Sequence, residues 1–481
     1  MRRAPLQWIP RSAPGRRRGF ATAALAPADE PIWPAHDPRL APRDEIIFLL
    51  HTAAEVEHAL MVQYLFAGWS AMFDETRWSS TIRLVAKQEM GHLVTVENVL
   101  RSLRGPLNFE REDYPFRTAL YPFHFALEPL SRGSLAKYVI AEMPKNPLTL
   151  PLDPPLTAAD LDDIRRDAHL GNMKEMVNRV GDLYEHVQFL IAEHLSDLDF
   201  SPATAGFQAD PEDWHADFVE GMIIEKITNK AEALSALRKI AEQGEGVGET
   251  GGEDLLKTHF YLFLKIYRER LAQGDGPDVP VRDLPTDPST SAQTSADSEI
   301  ELNRISHPVA RHLAQLFNLR YRILLVDLAH ALSIESDLLP KDPAAPNDPQ
   351  KPSGRAELRE WTFEEMRRMP DLARSLVSLP RRDGLDVGPP FAAPPFELPY
   401  TLALPDQELD RWLLQGDLIE NGRQLIELTR EELGRSGLSE DMKRQVERLL
   451  RAVEKAETTP GDPLSRQEVV RSHIARLQAH C

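Results

Sequence analysis

The sequence predicts an all-α fold, a bundle of long helices followed by a mostly helical extension, and three observations carry that expectation. Apolar residues recur at helical spacing from residue 43 onward. Few segments alternate with the period of a strand. The interruptions fall at proline and glycine, where helices stop.

Taken in order, Pro42 and Asp44 open a first helix over 43–72, and a second over 77–104 is stopped by Gly105-Pro106. A short helix over 133–143 ends at Pro144, and further helices are expected over 159–168, 172–196, 212–243 and 253–272. Between Gly105 and Ser131 an aromatic, proline-punctuated stretch with Tyr114-Pro115-Phe116 and Tyr121-Pro122-Phe123 reads as an ordered loop packed by its own rings. Residues 273–298, rich in Asp, Pro, Ser and Thr, read as a linker. Helical pattern resumes over 300–337 and 360–380, with Pro-rich breaks at 339–354 and 381–406. The charged segment from Pro405 to Glu457 is helical, with a capping pattern at Thr429-Arg-Glu-Glu432. The expected organisation is a basic leader (1–40), a bundle (41–272), the linker, a helical extension with Pro-rich loops (299–404) and a charged helical tail (405–481).

Charge and cysteine content exclude several functions. The 56 Lys and Arg against 75 Asp and Glu leave a net charge of −19, which gives no electrostatic support to nucleic-acid or anionic-membrane binding. The one cysteine, Cys481, rules out an internal disulfide, a Cys-based zinc site and an iron–sulfur cluster. No apolar run approaches the roughly 18 residues that cross a bilayer. The first 28 residues run against this acidic background, with six arginines and no acid. A mitochondrial matrix address and a disordered basic tail on a cytoplasmic protein are the competing readings, because Pro5, Pro10 and Pro14 interrupt an amphipathic helix.

The chemistry lies in ionisable residues placed where a helix should be apolar. At about 100° per residue, Glu57 falls at the centre of the stripe Leu50, Ala53, Ala54, Leu60, Met61, Tyr64 and Leu65. Glu89 and His92 sit one turn apart among Ile82, Val85, Ala86, Leu93 and Val96, so both project from the inward face. That Glu-x-x-His pair is the spacing with which di-iron bundles mount a carboxylate and an imidazole. By the same phase argument His259 falls among Leu255, Leu262, Phe263 and Ile266. Glu142 shares a face with Leu135, Tyr138 and Val139, and Glu245 continues the line of Ile227, Leu234 and Ala241, with Glu242 to one side. Burying one carboxylate costs several kcal/mol and two repel each other, a penalty that bound cations remove. A single inward Glu is more often salt-bridged than metal-bound; three ionisable groups central to two successive helices are hard to satisfy otherwise. Asp182 and Glu185 point away from the apolar stripe of their helix, and His51 and His58 lie off the Glu57 face. The hard Glu and His donors suit iron or manganese.

The segments Ala54-Glu-Val-Glu-His-Ala-Leu-Met-Val-Gln-Tyr-Leu65, Lys87-Gln-Glu-Met-Gly-His-Leu93, Arg111-Glu-Asp-Tyr-Pro115, Tyr121-Pro-Phe123, Glu242-Gln-Gly-Glu-Gly246 and His259-Phe260 resemble the ferritin-like domain of the iminophenyl-pyruvate dimer synthase family. That family is named for violacein- and rebeccamycin-type pathway enzymes that couple two oxidised tryptophan units. The resemblance covers residues 43–270, and Gly388-Pro-Pro-Phe391 resembles the family's C-terminal extension. It implies a ferritin-like four-helix bundle with additional helices and a metal-dependent oxidoreductase of secondary metabolism. On that reading a carboxylate-bridged dinuclear iron centre, with manganese as the alternative, acts with O₂ on a small amino-acid-derived substrate. Two other classes compete: a metal-storage bundle without organic substrate, for which either a self-assembling homo-oligomeric shell or a plain bundle is expected, and a non-enzymatic helical scaffold. No residue is singled out as catalytic beyond the metal ligands.

Overall fold

A computed structural model describes residues 37, 39–71, 78–111, 121–168, 179–214, 221–245, 255–274, 281–291, 303–336, 354–384, 388–399, 401–458 and 465–479. Among these residues there is no β-strand, only three isolated bridges, so the chain is all-α. The helices of the first half are α1 (Pro42–Ser70), α2 (Trp78–Ser102), α3 (Arg132–Ala141), α4 (Ala158–Ala168), α5 (Val180–His194), α6 (Lys230–Glu245) and α7 (His259–Gln273). The second half contributes α8 (Pro308–Ala331), α9 (Arg355–Leu376), α10 (Glu408–Arg435), α11 (Glu440–Thr458) and α12 (Arg466–Gln478). Among the described residues no helix is long and apolar enough to cross a membrane.

Local chemistry sets the helix ends. Pro42, with no N–H to leave unsatisfied, occupies the first turn of α1. Gly105 N–H donates to Leu100 O at 2.8 Å and closes α2. Ser131 and Ser134 form a reciprocal capping box at the start of α3, and the Thr258 side chain caps α7 by accepting from Tyr261 N–H. α1 runs along α2, α5 packs on α1 and α6, and α7 packs on α2, α3 and α6. Glu57, Glu89, His92, Glu142, Glu245 and His259 are all buried in the interior so formed.

Two expectations about helices change. In the segment expected to be helical over 212–243, Pro211–Asp213 is a 3-10 turn, 221–229 is irregular and the described α-helix runs from Lys230, with 215–220 outside the described residues. The backbone of 221–229 is satisfied instead by buried polar side chains. Asn98 Nδ2 donates to Glu225 O, Thr95 Oγ1 donates to Ile223 O, and Gln208 bonds both the N–H and the carbonyl of Ile227. Side chains that pay a segment's hydrogen-bonding requirement remove its need to be helical. The Thr429 capping pattern lies inside α10, where the hydroxyl donates to Leu425 O at 2.6 Å. Within the segment read as a linker, the described residues 281–291 make contacts with the rest of the chain: Val281 bridges Ala71, Ser289 bridges Arg304, and Glu397 receives hydrogen bonds from Ser289 and Thr290.

The second half shares the core of the first. Trp69 stacks on Phe396 with ring centroids 5.6 Å apart, and Phe317 meets both rings. His58, which lies off the Glu57 face, is buried because α8 covers it: its Nε2 pairs with the Tyr321 hydroxyl, and Arg111 Nη1 donates to the same oxygen at 3.0 Å. Burial, aided by the Arg111 charge, pushes the His58 imidazole down to about 3. α8, α9, α11 and α12 are joined by a buried ionic cluster. Arg320 pairs with Glu365 and Glu457, and Arg466 reaches Asp327 at 2.8 Å and Glu365 at 3.1 Å. Most of the basic leader and the Tyr114-Pro115-Phe116 part of the aromatic loop lie outside the described residues. The end of the leader engages the fold, with Asp37 N–H donating to the Glu45 carboxylate. The rest of the aromatic loop covers the bundle through buried Phe109, Phe123, Leu127 and Leu130.

Candidate metal centre

Glu89 spans the centre of the site. Its Oε2 lies 2.8 Å from His92 Nδ1 and its Oε1 lies 2.9 Å from His259 Nδ1, so one carboxylate faces two imidazoles with different oxygens. The imidazole rings are 5.4 Å apart at 30°. Each histidine faces a second carboxylate as well. Glu57 Oε2 is 3.3 Å from His92 Nδ1, and Glu142 Oε2 is 3.6 Å from His259 Nδ1. The result is two similar halves, Glu57 with His92 and Glu142 with His259, sharing Glu89. Among the described residues, donor atoms of Glu89, His92 and His259 all fall within 4.8 Å of one another, a triad able to hold a metal ion.

The outer oxygens of the two flanking carboxylates are held by tyrosines. Tyr184 OH on α5 donates to Glu57 Oε1 at 2.5 Å, and Tyr64 OH on α1 donates to Glu142 Oε1 at 2.6 Å. Glu142 reaches the site because it is the C-cap residue of α3, where the chain turns away before Pro144. Glu245 ends α6 and lines the same small cavity as Glu57, Glu89, His92 and Glu142; its Oε1 is 3.7 Å from Arg179 Nη1. Two glycines make room. A Cβ on Gly181 would stand 1.9 Å from Glu245 Oε1, and one on Gly244 would stand 2.9 Å from Glu142 Oε2. Gly91, between Glu89 and His92, lets the 221–229 segment lie against α2, since a Cβ there would be 3.0 Å from Ile223 O.

Burial dominates the electrostatics, and the close charges decide its outcome. Burial together with the Glu89 charge pushes Glu57 up to about 8. Glu89, equally buried, is nevertheless held well below the usual carboxylate range by His259 and His92. Against burial, the Glu89 carboxylate holds His259 up at about 9 and raises His92 well above an ordinary imidazole. Burial also pushes Glu245 up to about 8 and raises Glu142, which feels the Glu89 charge too. Several acids therefore compete for few compensating groups in a dry interior.

A cation fits what remains unsatisfied. Among the described residues, Glu57 Oε2, Glu89 Oε1, Glu245 Oε1 and His259 Nδ1 are buried without a hydrogen-bond partner, and the 2.9 Å approach of His259 Nδ1 to Glu89 Oε1 lacks hydrogen-bond alignment. Buried polar atoms left so are costly unless something else engages them. The donors are hard oxygens and imidazole nitrogens, suited to iron or manganese.

Of the residues singled out from the sequence, Glu57, Glu89, His92, Glu142 and His259 meet at the centre and Glu245 lines its cavity. Glu242 is half-buried and does not line it. Asp182 pairs with Arg179, Glu185 lies 3.7 Å from Lys145 Nζ, and His51 Nε2 bonds Pro106 O at 3.0 Å. Sequence reasoning missed the roles of Tyr64, Tyr184, Gln88 and Gln243. The available signal for Tyr64 was its position two turns from Glu57 on the same inward face.

Residues 50–268 match the Ferritin-like family model. The chain therefore contains a ferritin-like domain, and the helical bundle with its buried Glu and His residues is that domain. It is similar to dichlorochromopyrrolate synthase of Lentzea aerocolonigenes, at 25% identity over 355 residues, covering 63% of this chain and 32% of that protein. The chain thus spans about a third of the length of the curated relative it matches. A solved ferritin-like protein from Caulobacter vibrioides is also similar, at 17% identity and a TM-score of 0.38, with 69% of this chain and 97% of that one covered.

Proposed function

We propose that the protein is a metal-dependent oxidoreductase that uses O₂ at a carboxylate-bridged dinuclear centre, iron first and manganese second, on a small amino-acid-derived substrate of secondary metabolism. The observation that carries this reading is the two-sided engagement of Glu89, whose oxygens face His92 and His259 separately while Glu57 and Glu142 complete each half. In this role Glu89 would be the carboxylate shared by both halves, Glu57 with His92 and Glu142 with His259 would hold one metal each, and Glu245 would be the fourth carboxylate. Four carboxylates and two imidazoles are the donor set of carboxylate-bridged dimetal bundles. A bound iron pair would supply the two electrons for two-electron reduction of O₂.

The chain's own contribution is placement and dryness. Tyr184 and Tyr64 fix the outer oxygens of Glu57 and Glu142, so that the inner oxygens stay directed at the histidines. Leu60, Val180, Ile240 and Ala241 line the cavity between the carboxylates and restrict water there. The similarity to dichlorochromopyrrolate synthase supports a small-molecule substrate, the resemblance of the helix motifs to the dimer synthase family supports an amino-acid-derived one, and the net charge of −19 supports a small molecule over a polyanion.

The test is metal analysis of purified protein, followed by anaerobic loading with Fe(II), exposure to O₂, and measurement of O₂ uptake with and without aromatic amino acids and their imines. Two metal equivalents and substrate-dependent O₂ uptake are expected. Iron oxidation without substrate dependence would indicate storage, and less than one equivalent, unchanged in Glu89→Ala, would indicate a scaffold.

A further inference from the structure

Behind the two imidazoles lies a second arrangement, made of residues from the two sequence motifs but outside the ligand set. The Nε2 of His92, on α2, is 2.8 Å from Oε1 of Gln243 on α6. The Nε2 of His259, on α7, is 3.1 Å from Oε1 of Gln88 on α2. Both glutamine amides then converge on a single backbone atom: Gln88 Nε2 donates to Gly221 O at 3.1 Å and Gln243 Nε2 donates to the same oxygen at 2.8 Å.

Which end of each amide faces which neighbour follows from Gly221 alone. A backbone carbonyl can only accept, so the NH₂ of each glutamine must face it, leaving the amide oxygen for the histidine. An amide oxygen can only accept in turn, so each imidazole must carry a proton on Nε2. The other ring nitrogen, Nδ1, is the one that faces the carboxylates, and it is left free to give up its proton and offer a lone pair. Gly221 is suited to this position: its φ is +76°, and a Cβ there would stand 3.0 Å from Gln88 Nε2.

We infer that Gln88 and Gln243, oriented together by the Gly221 carbonyl, are positioning residues that fix both histidines as Nε2–H donors with Nδ1 directed into the metal centre. One carbonyl thereby sets the ligand atom on both halves of the site, and the irregular 221–229 segment, which displaces the first part of the expected long helix, is what brings it there. The inference rests on the dinuclear-centre reading of the same residues.

The experiment titrates Co(II), whose visible bands report its ligands, into the full-length metal-free protein and four variants: Gln88→Met, Gln243→Met, Gln88→Glu and Gln243→Glu. Melting curves of the metal-free forms identify any variant that fails to fold. Methionine removes the acceptor, and each Met variant is expected to bind about 10- to 100-fold more weakly. Glutamate loses the tie to Gly221 but keeps an acceptor for Nε2–H, so each Glu variant is expected to recover affinity to within a few-fold of wild type. Equal weakening of Met and Glu variants would show that the glutamines merely anchor the 221–229 segment, and wild-type affinity in the Met variants would show that they do not act on the histidines; either overturns the inference and leaves the metal centre standing. A wild-type protein that binds no Co(II) removes the metal reading and this inference with it.

Discussion

Gly181→Ala tests the fourth carboxylate through a residue that is not itself a ligand candidate. The new methyl group would stand 1.9 Å from Glu245 Oε1, 2.3 Å from its Cδ and 2.7 Å from Oε2. Restoring ordinary contact at 3.4 Å requires the carboxylate to retreat by about 1.5 Å. Because the obstructing group is the end of a flexible side chain, the fold should survive. Alanine within α5 also contributes about 0.5–1 kcal/mol of helix stability relative to glycine, which offsets part of the repacking. A shift of that size removes Glu245 from any metal held by the other five residues, since metal–oxygen bonds tolerate deviations of only about 0.2 Å. Gly181→Ala should therefore melt within roughly 1 kcal/mol of wild type yet bind Co(II) with the weakened affinity and altered visible spectrum of Glu245→Ala. If Gly181→Ala keeps wild-type affinity and spectrum while remaining folded, Glu245 is not a ligand and the donor set contracts to Glu57, Glu89, His92, Glu142 and His259.

Glu89→Gln should leave less than one equivalent of metal by elemental analysis, because the residue shared by both halves has lost its charge and one of its two acceptor oxygens. Arg320→Leu leaves Glu365 and Glu457 buried without that guanidinium, and the protein should be destabilised by about 3–5 kcal/mol, with limited proteolysis reporting early release of α11 and α12. Glu97 is fully buried, and burial pushes its carboxyl up from 4.5 to about 8, so between those values the folded state holds a proton that the unfolded chain has lost. Stability from this group is complete below pH 4.5 and falls by roughly 1.4 kcal/mol per pH unit up to about 8; in urea titrations Glu97→Gln should lose that slope relative to wild type, and parallel pH profiles would refute the assignment.

The interior phase of Glu57, Glu89 and His92 is legible in the sequence because it is a local property: at a fixed rotation per residue, the apolar neighbours on the same helix show which way a side chain points. The all-α class, the start of α1, and the stops of α2 and α3 follow equally locally, from apolar spacing, Pro42, Gly105 and Pro144. Phase cannot say which inward faces meet. The convergence of Glu142 from the end of α3, Glu245 from the end of α6 and His259 from the start of α7 depends on how distant helices pack, as does the distinction between Glu245 at the cavity and Glu242 beside it. Tertiary structure also decided where polar side chains displace helical hydrogen bonding. Asn98, Thr95 and Gln208 hold 221–229 out of the helix that its apolar spacing suggested, and this carries the Gly221 carbonyl to Gln88 and Gln243. The burial of His58 under α8 and the Arg320 cluster have the same origin: a charged or polar face is solvent-exposed only until another part of the chain covers it, and the covering partners lie 45 to 263 residues away in sequence.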